Sequence, residues 1–452
     1  MITTHHGSAH NIPIPDSSVH LIVTSPPYYS LRKYSGDQDI EWPTVEYSPM
    51  PGLPPIRVQG CESGCSHVWG EPTPLSGRGG QSNFDSSTLM RDGRPEEGRI
   101  RTLTENAKEL QLETLTPQGA YCQRCGGWRG ALGLEPTIEM YIGHLILCLR
   151  EWKRILRDDG TMWVNLGSSY ANKQEQMIPA RFALAAQADG LFLRACVVWA
   201  KGLSFCPDYA GSVMPESVRD RPTNSYEMVY MLAKSPAYYY DSEAVREKCS
   251  TNSHGGPNVT PGSKNVFLGK VNGDSGGLGK WTAEDKETGR NLRSVWAINP
   301  QPTPMAHFAT YPEALVDPII RLATSQHGVC ARCGSPWRRV VERTGGTVGQ
   351  GWTDHKADLE SGMSQVRFSV GTTKDINRQP YQRITTGWEP TCRCRCEDVV
   401  PATVLDPFLG SGTTARVALR LGRRCTGVDL STEYLSDLVP TRTSNVQIEL
   451  PL

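Results

Sequence analysis

The sequence lacks any run approaching the ~18 apolar residues needed to cross a bilayer. It has no excess of either charge, with 47 Lys+Arg against 47 Asp+Glu. That balance excludes a uniformly basic, histone-like partner of nucleic acid and an acidic tail protein, and leaves only local basic patches. Its first residues, Met1-Ile2-Thr3-Thr4-His5-His6, carry neither the charged nor the apolar region of a secretory signal. A soluble, cytoplasmic protein without membrane contact is the expectation. Apolar residues make up only 38% of the chain, enough for a core, while 44 Gly and 33 Pro announce long loops beside it. The 452 residues allow two or three domains.

Cysteine, by contrast, is plentiful, at 14 residues, and much of it is paired. Cys61 and Cys65 precede Cys122-x2-Cys125, with His67 close by; Cys330-x2-Cys333 precedes Cys392-x-Cys394-x-Cys396. In a reducing compartment such pairs point to zinc before disulfides. Two close pairs from separate loops supply a tetrahedral ligand set. Cys122-Gln-Arg-Cys125-Gly-Gly-Trp128-Arg129 also echoes Cys330-Ala-Arg-Cys333-Gly-Ser-Pro-Trp337-Arg338. Two structural zinc ions are expected. In the first set the fourth ligand is Cys61 or His67; in the second, Cys396 competes with Cys394. The remaining cysteines read as small core residues.

Val19–Val23 is apolar enough for a buried strand and ends in Ser25-Pro26-Pro27-Tyr28, where two prolines forbid further ladder or helix. Apolar residues spaced three and four apart predict a helix over 137–157, followed by a strand at Thr161–Leu166. A helix over 179–188 and strands at 192–199, 226–232, 237–240, 403–405 and 424–428 continue the rhythm, with a helix through about Leu421. Residues ~35–120 and ~244–290 lose periodicity and read as loops. Strand–helix alternation at both ends predicts an α/β fold with a parallel sheet, interrupted by Cys-rich and loop-rich insertions.

Two segments carry chemistry. Asp406-Pro-Phe408-Leu-Gly410-Ser-Gly412-Thr413-Thr414 places glycines between a strand and a helix, where backbone can approach a ligand. It has no Gly-Lys-Ser/Thr for a phosphate and no third glycine of a dinucleotide fingerprint. Asp429 closes the next strand, where a carboxylate bonds ribose hydroxyls in doubly wound nucleotide sites. A nucleoside-bearing cofactor that is not held by phosphates fits best. In Ser25-Pro26-Pro27-Tyr28, the Ser25 hydroxyl and Pro26 carbonyl form rigid acceptors for an exocyclic amine, and Tyr28 offers a ring face to a planar base.

These segments resemble the S-P-P-Y and D-P-F-x-G-S-G-T-T motifs of S-adenosylmethionine-dependent DNA amino-methyltransferases. The catalytic motif precedes the cofactor motif, as in the circularly permuted β class. Leu166-Gly-Ser-Ser-Tyr170, Met214–Pro222, Lys234-Ser235 and Phe308-Ala-Thr310-Tyr311-Pro-Glu313 extend the resemblance, although the usual Gly-Asp is here Gly167-Ser168. The resemblance implies a circularly permuted, Rossmann-like methyltransferase sheet with zinc-binding and loop-rich insertions. It places Phe408, Gly410, Gly412, Thr413 and Asp429 on the cofactor and Asp406 near its amino group, with Phe308 and Thr310 closing over its methionine end. Met214–Pro222 and Lys234-Ser235 would lie near the base pocket. Ser25 through Tyr28 would hold a base flipped out of double-stranded DNA. Ser at the first tetrad position favours cytosine N4, with adenine N6 as the alternative. A zinc-containing DNA-binding protein with an inactive methyltransferase-like core is the rival of another class.

The exocyclic amine is a poor nucleophile, so the site must align it and draw its protons toward oxygen. No Pro-Cys pair at the catalytic loop suggests a covalent intermediate. The implied division is 1–58 for the catalytic half of the core, 59–130 for the first Cys insertion, 131–243 for core strands and helices, 244–295 for target recognition, 296–328 for cofactor closure, 329–398 for the second Cys module and 399–452 for the cofactor half. Arg332, Arg338, Arg339 and Arg343, with Lys264, Lys270 and Lys280, are the candidate phosphate contacts. A companion restriction endonuclease is implied, and a monomer or homodimer is expected.

Overall fold

The computed structural model describes residues 1–30, 37–71, 119–206, 209, 211–213, 216, 218–247, 290–301, 311–346 and 379–449. Its centre is an eight-stranded mixed sheet built from β1 (Ile2–His6), β2 (Val19–Thr24), β3 (Leu156–Leu166), β4 (Phe192–Ala200), β5 (Tyr226–Ala233), β6 (Val295–Ala297), β7 (Thr403–Asp406) and β8 (Arg424–Asp429). The spatial order is β1-β8-β7-β2-β3-β5-β4-β6. The first five of these run parallel; β5 is antiparallel to both neighbours, and β6 is parallel to β4. This is an α/β, Rossmann-like sheet. The chain runs outward in opposite directions from the central pair β7 and β2. Open α/β sheets bind ligands beyond the carboxyl ends of such a pair.

Among the described residues, the helices α1 (Ile138–Ile155), α2 (Ile178–Ala188), α3 (Glu313–Ala323) and α4 (Thr413–Arg420) flank the sheet. The Thr137 side chain caps α1 by accepting from Met140 N. Alternation along the strands sorts the faces. Ile22, Met162 and Val164 join the cluster formed with α1 and α2, whereas Val23, Trp163 and Val229 meet Leu315, Val316 and Ile319 of α3. α4 packs against α3.

Several elements depart from the sequence reading. β1 forms although Ile-Thr-Thr-His-His shows no apolar alternation; the parallel ladder to β8 supplies its backbone partners at the sheet edge. β3 begins at Leu156 rather than Thr161, with an irregular register against β2 between Val19 and Leu21. Ala237–Tyr240 is not a strand, and Tyr239 N donates to Asp159 O at 2.9 Å. Short strands at Ile40–Glu41, Val45–Tyr47 and Ile56–Val58 occupy what reads as loop.

Two compact units emerge: Met1–Asp241 with Arg293–Pro336 and Cys392–Leu452, and Ser242–Leu292 with Trp337–Thr391. The second contains a two-stranded antiparallel arm, Trp337–Gly346 against Gln379–Pro390. On it Arg338 pairs with Glu389, and the Arg339 guanidinium lies 4.5 Å from the Trp388 ring centroid. Among the described residues no helix is long and apolar enough to cross a membrane.

Candidate active site and cysteine clusters

The tips of β2 and β7 are joined directly: Thr24 Oγ1 donates to Asp406 Oδ1 at 2.7 Å. Asp406 is 1% exposed. Its Oδ1 also accepts from Phe408 N at 3.1 Å, and its Oδ2 accepts from Thr414 Oγ1 at 2.7 Å and Tyr311 Oη at 2.8 Å. Four donors thus fill the four acceptor directions of the carboxylate and tie α4, the segment before α3 and the β2 tip to one point. Burial still pushes the Asp406 carboxyl up to about 6, and burial beside it raises the Tyr311 phenol well above its ordinary range.

Beyond Asp406 the chain turns through Gly410 at φ +50° and Gly412 at φ +80°, both in the left-handed region, before α4 begins. A Cβ on Gly412 would also press on Val439 at 3.2 Å. Asp429, at the end of β8, accepts from Gly410 N at 2.7 Å and from Ser431 N at 2.8 Å. Burial raises its carboxyl, against the pull of those backbone donors. The Phe408 ring meets Trp152 edge-on at 6.0 Å. Arg442 donates to the Ser411 carbonyl and to Thr413 Oγ1, both at 3.3 Å.

After β2, Ser25 Oγ donates to Tyr28 Oη at 3.3 Å, and Tyr28 Oη donates to Glu227 Oε2 at 2.6 Å. Asn165 Nδ2 donates to Tyr28 Oη at 2.7 Å and to Glu227 Oε2 at 2.8 Å, and lies 3.4 Å from Ser25 Oγ. Lys201 completes the group as an ion pair with Glu227. The Tyr28 ring lies on the backbone of Gly167, where a Cβ would stand 2.7 Å from it. The Pro27 carbonyl accepts from Tyr141 Oη at 2.8 Å. The sequence reading missed Asn165, Lys201 and Glu227. It also set Lys234 and Ser235 near this pocket, and the structure corrects that. β5 is antiparallel to β3, so Met228 pairs with Leu166 at the Ser25 edge while Ala233 pairs with Thr161 at the far edge. Lys234 accordingly bonds Leu156 O and Asp158 there.

Both strand-tip loops open on one cleft. Ser25 and Pro27 line one part, and Phe408, Gly410, Thr413 and Asp429 another. Tyr311, Cys148, Ile40, Trp42 and Leu132 complete its apolar wall. The Gly410 turn, held by a carboxylate, leaves backbone close to whatever occupies the cleft.

Seven cysteines and one histidine gather as two sets of four. Cys65, His67, Cys122 and Cys125 have ligand atoms within 4.8 Å of one another, as do Cys330, Cys333, Cys392 and Cys394. Cys65 Sγ and Cys122 Sγ are 4.0 Å apart, near the ~3.8 Å edge of a zinc–thiolate tetrahedron. His67 Nδ1 is 3.5 Å from Cys125 Sγ. Cys61 stands outside the first set, its thiol directed at Trp128 O, and Cys396 outside the second, directed at Asp398 O. Phe308, Thr310, Met214, Pro215, Ser217, Lys264, Lys270 and Lys280 lie outside the described residues, as do most of the expected target-recognition region and the side chain of Arg343.

The profile of the N6/N4 methyltransferase family, described as DNA methylase, matches residues 19–331 and 401–439, a span that includes both strand-tip loops. The chain belongs to the DNA methylase family. Type II methyltransferase M.Cfr9I of Citrobacter freundii is 34% identical to this chain over 222 residues, covering 43% of this chain and 59% of the relative. Type II methyltransferase M.SmaI of Serratia marcescens is 27% identical over 336 residues, covering 68% and 75%. The chain therefore spans about three fifths of the length of M.Cfr9I. Among solved structures, the PvuII DNA methyltransferase (cytosine-N4-specific) aligns over 99% of this chain and 88% of its own at 13% identity, with a TM-score of 0.41. A likeness that low carries no argument.

Proposed function

We propose that this chain methylates the exocyclic amine of a base flipped from double-stranded DNA, cytosine N4 in the first place, using S-adenosylmethionine. The observation that carries the reading is the Thr24–Asp406 hydrogen bond, which brings the Ser25–Tyr28 loop and the Gly410 loop to one cleft. The order of the two loops along the chain supports the permuted arrangement. The relatives' Type II names support a companion restriction endonuclease.

S-adenosylmethionine, when bound, supplies an electrophilic methyl group. Asp429, Phe408, Gly410 and Thr413 would hold it, because they line the cleft around a left-handed turn that leaves backbone exposed to a ligand. Gly412 shapes that turn, and Asp406 keeps the two loops in register. The Ser25 hydroxyl and Pro26 carbonyl draw the amine protons toward oxygen. Tyr28, held by Glu227 and Asn165, presents its ring to the base and offsets part of the few kcal/mol lost on unstacking. The serine at position 25, rather than a carboxylate or amide, supports cytosine; adenine N6 is the second reading.

The two four-residue clusters support two structural zinc ions, held by Cys65, His67, Cys122 and Cys125 and by Cys330, Cys333, Cys392 and Cys394. Long-read modification sequencing of DNA from a methylation-free host expressing the chain tests the activity. N4-methylcytosine at one fixed motif is expected. N6-methyladenine instead would overturn the base assignment, and unmodified DNA in cells holding folded protein would overturn the activity.

A further inference from the structure

The first cysteine cluster stands one strand away from the cleft. Ile40–Glu41 pairs antiparallel with Trp128–Gly130, with Glu41 opposite Arg129. Along that segment side chains alternate: Ile40 and Trp42 line the cleft, while Glu41 between them points to the cluster. Glu41 Oε2 is 3.6 Å from His67 Nε2, and the other ring nitrogen of His67 faces Cys125 Sγ at 3.5 Å. A carboxylate behind a metal-bound imidazole orients it, and is in turn held by it.

A second line of contacts leaves the same cluster. Trp128, three residues beyond Cys125, is fully buried and lies nearly parallel to His144, with centroids 5.9 Å apart. His144 stacks on Trp42 at 4.2 Å and 8°. His144 Nδ1 bonds Glu135 Oε1 at 2.9 Å, and Glu135 Oε2 accepts from Gly133 N at 2.8 Å. Gly133 sits at φ +89° and its carbonyl accepts from Ser30 N at 2.7 Å; a Cβ there would stand 2.8 Å from the Tyr28 carbonyl oxygen. The contacts run from Trp128, just beyond Cys125, to the back of the catalytic loop.

We propose that a metal ion on Cys65, His67, Cys122 and Cys125 positions the cleft wall at Ile40 and Trp42 and the backstop at Gly133, so that this site sets cofactor affinity and turnover. The proposal rests on the methyltransferase reading above and adds the device that holds its site. The second cluster supplies an internal control. It meets the opposite edge of the sheet, where His20 Nε2 donates to Gly334 O and Arg157 Nη1 to Cys333 O, both at 2.9 Å.

The experiment uses the full chain and compares Cys125→Ser, Cys333→Ser and Glu41→Gln. Zinc content, S-adenosylmethionine binding by calorimetry, and tritium transfer to unmethylated genomic DNA are measured at a temperature where circular dichroism shows all to be folded. Each Cys variant should lose one zinc. Cys125→Ser should bind the cofactor at least tenfold more weakly and turn over more slowly; Cys333→Ser should bind within twofold of wild type. Glu41→Gln, which keeps every ligand and carries the test if Cys125→Ser does not fold, should retain both zinc ions and bind the cofactor several-fold more weakly. Zinc restored to chelator-stripped wild type should restore affinity. Unchanged cofactor binding in zinc-depleted Cys125→Ser or in Glu41→Gln, equal losses in both Cys variants, or a wild type without zinc would each overturn the proposal while leaving methyl transfer intact. A zinc-loaded wild type that binds no S-adenosylmethionine would overturn both.

Discussion

Thr24 and Asp406, 382 residues apart in the chain, share a 2.7 Å hydrogen bond between neighbouring strand tips. Everything the site can do follows from that meeting, because each loop alone offers only half a cleft. The bond is buried, so it is shielded from competing water.

Ser25→Ala should lower turnover by roughly 10²–10³-fold, within the range for removing a positioned proton acceptor. Cofactor affinity should stay near wild type, since Asp429 and the Gly410 loop are untouched. Tritium transfer to unmethylated genomic DNA, with calorimetry alongside, checks both; full activity would remove Ser25 from the mechanism.

Asp429→Ala should weaken S-adenosylmethionine binding by roughly 1–3 kcal/mol. The carboxylate also holds Gly410 N and Ser431 N, so part of that loss is disorder of the loop itself. An unchanged dissociation constant by calorimetry would refute the assignment.

Gly167→Ala tests the seat of the Tyr28 ring. The added Cβ would stand 2.7 Å from that ring and must displace it. Turnover should fall at least tenfold while cofactor binding holds; parallel losses in both would point to general misfolding instead.

Asp406 makes stability depend on pH. Its folded-state pKa of about 6 lies above the ordinary 3.8, so the folded chain binds this proton more tightly than the unfolded chain. The contribution is therefore fully present below 3.8 and is lost as pH rises toward about 6, a change of roughly 2–3 kcal/mol. Thermal unfolding of wild type and Asp406→Asn across that window should show the wild type losing stability relative to the variant as pH rises. Parallel profiles would contradict it.

Cys61→Ser and Cys396→Ser should keep both zinc equivalents, whereas Cys65→Ser should lose one, as read by elemental analysis of the purified protein. Loss of zinc from Cys61→Ser would reassign the first ligand set.

Much of the core was legible because its periodicities are strong: α1, β2, β7 and β8 carry apolar patterns that only buried elements need. β1 was not, since its pairing depends on the distant β8 rather than on its own residues. The two loops could be recognised from glycine, proline and aspartate at fixed offsets. Glu227, Asn165 and Lys201 could not, because they come from β5, β3 and the residue just past β4, and acquire meaning only when Tyr28 Oη reaches Glu227 and Asn165, and Lys201 pairs with Glu227. The antiparallel direction of β5 decides which of its ends carries chemistry, and composition does not reveal direction. Spacing likewise left Cys61 and His67 open for the first cluster, and in the fold it is His67 that gathers with Cys65, Cys122 and Cys125.

Each ligand quartet is split into pairs that flank a long stretch of sequence, Cys65 and His67 from Cys122, and Cys333 from Cys392. A metal ion in each cluster would staple the chain entering and leaving each stretch at one point, and lengthening a closed loop adds only about 0.6 kcal/mol per doubling. With both ends so held, the length of the intervening sequence could change between related chains without asking the eight-stranded sheet to refold.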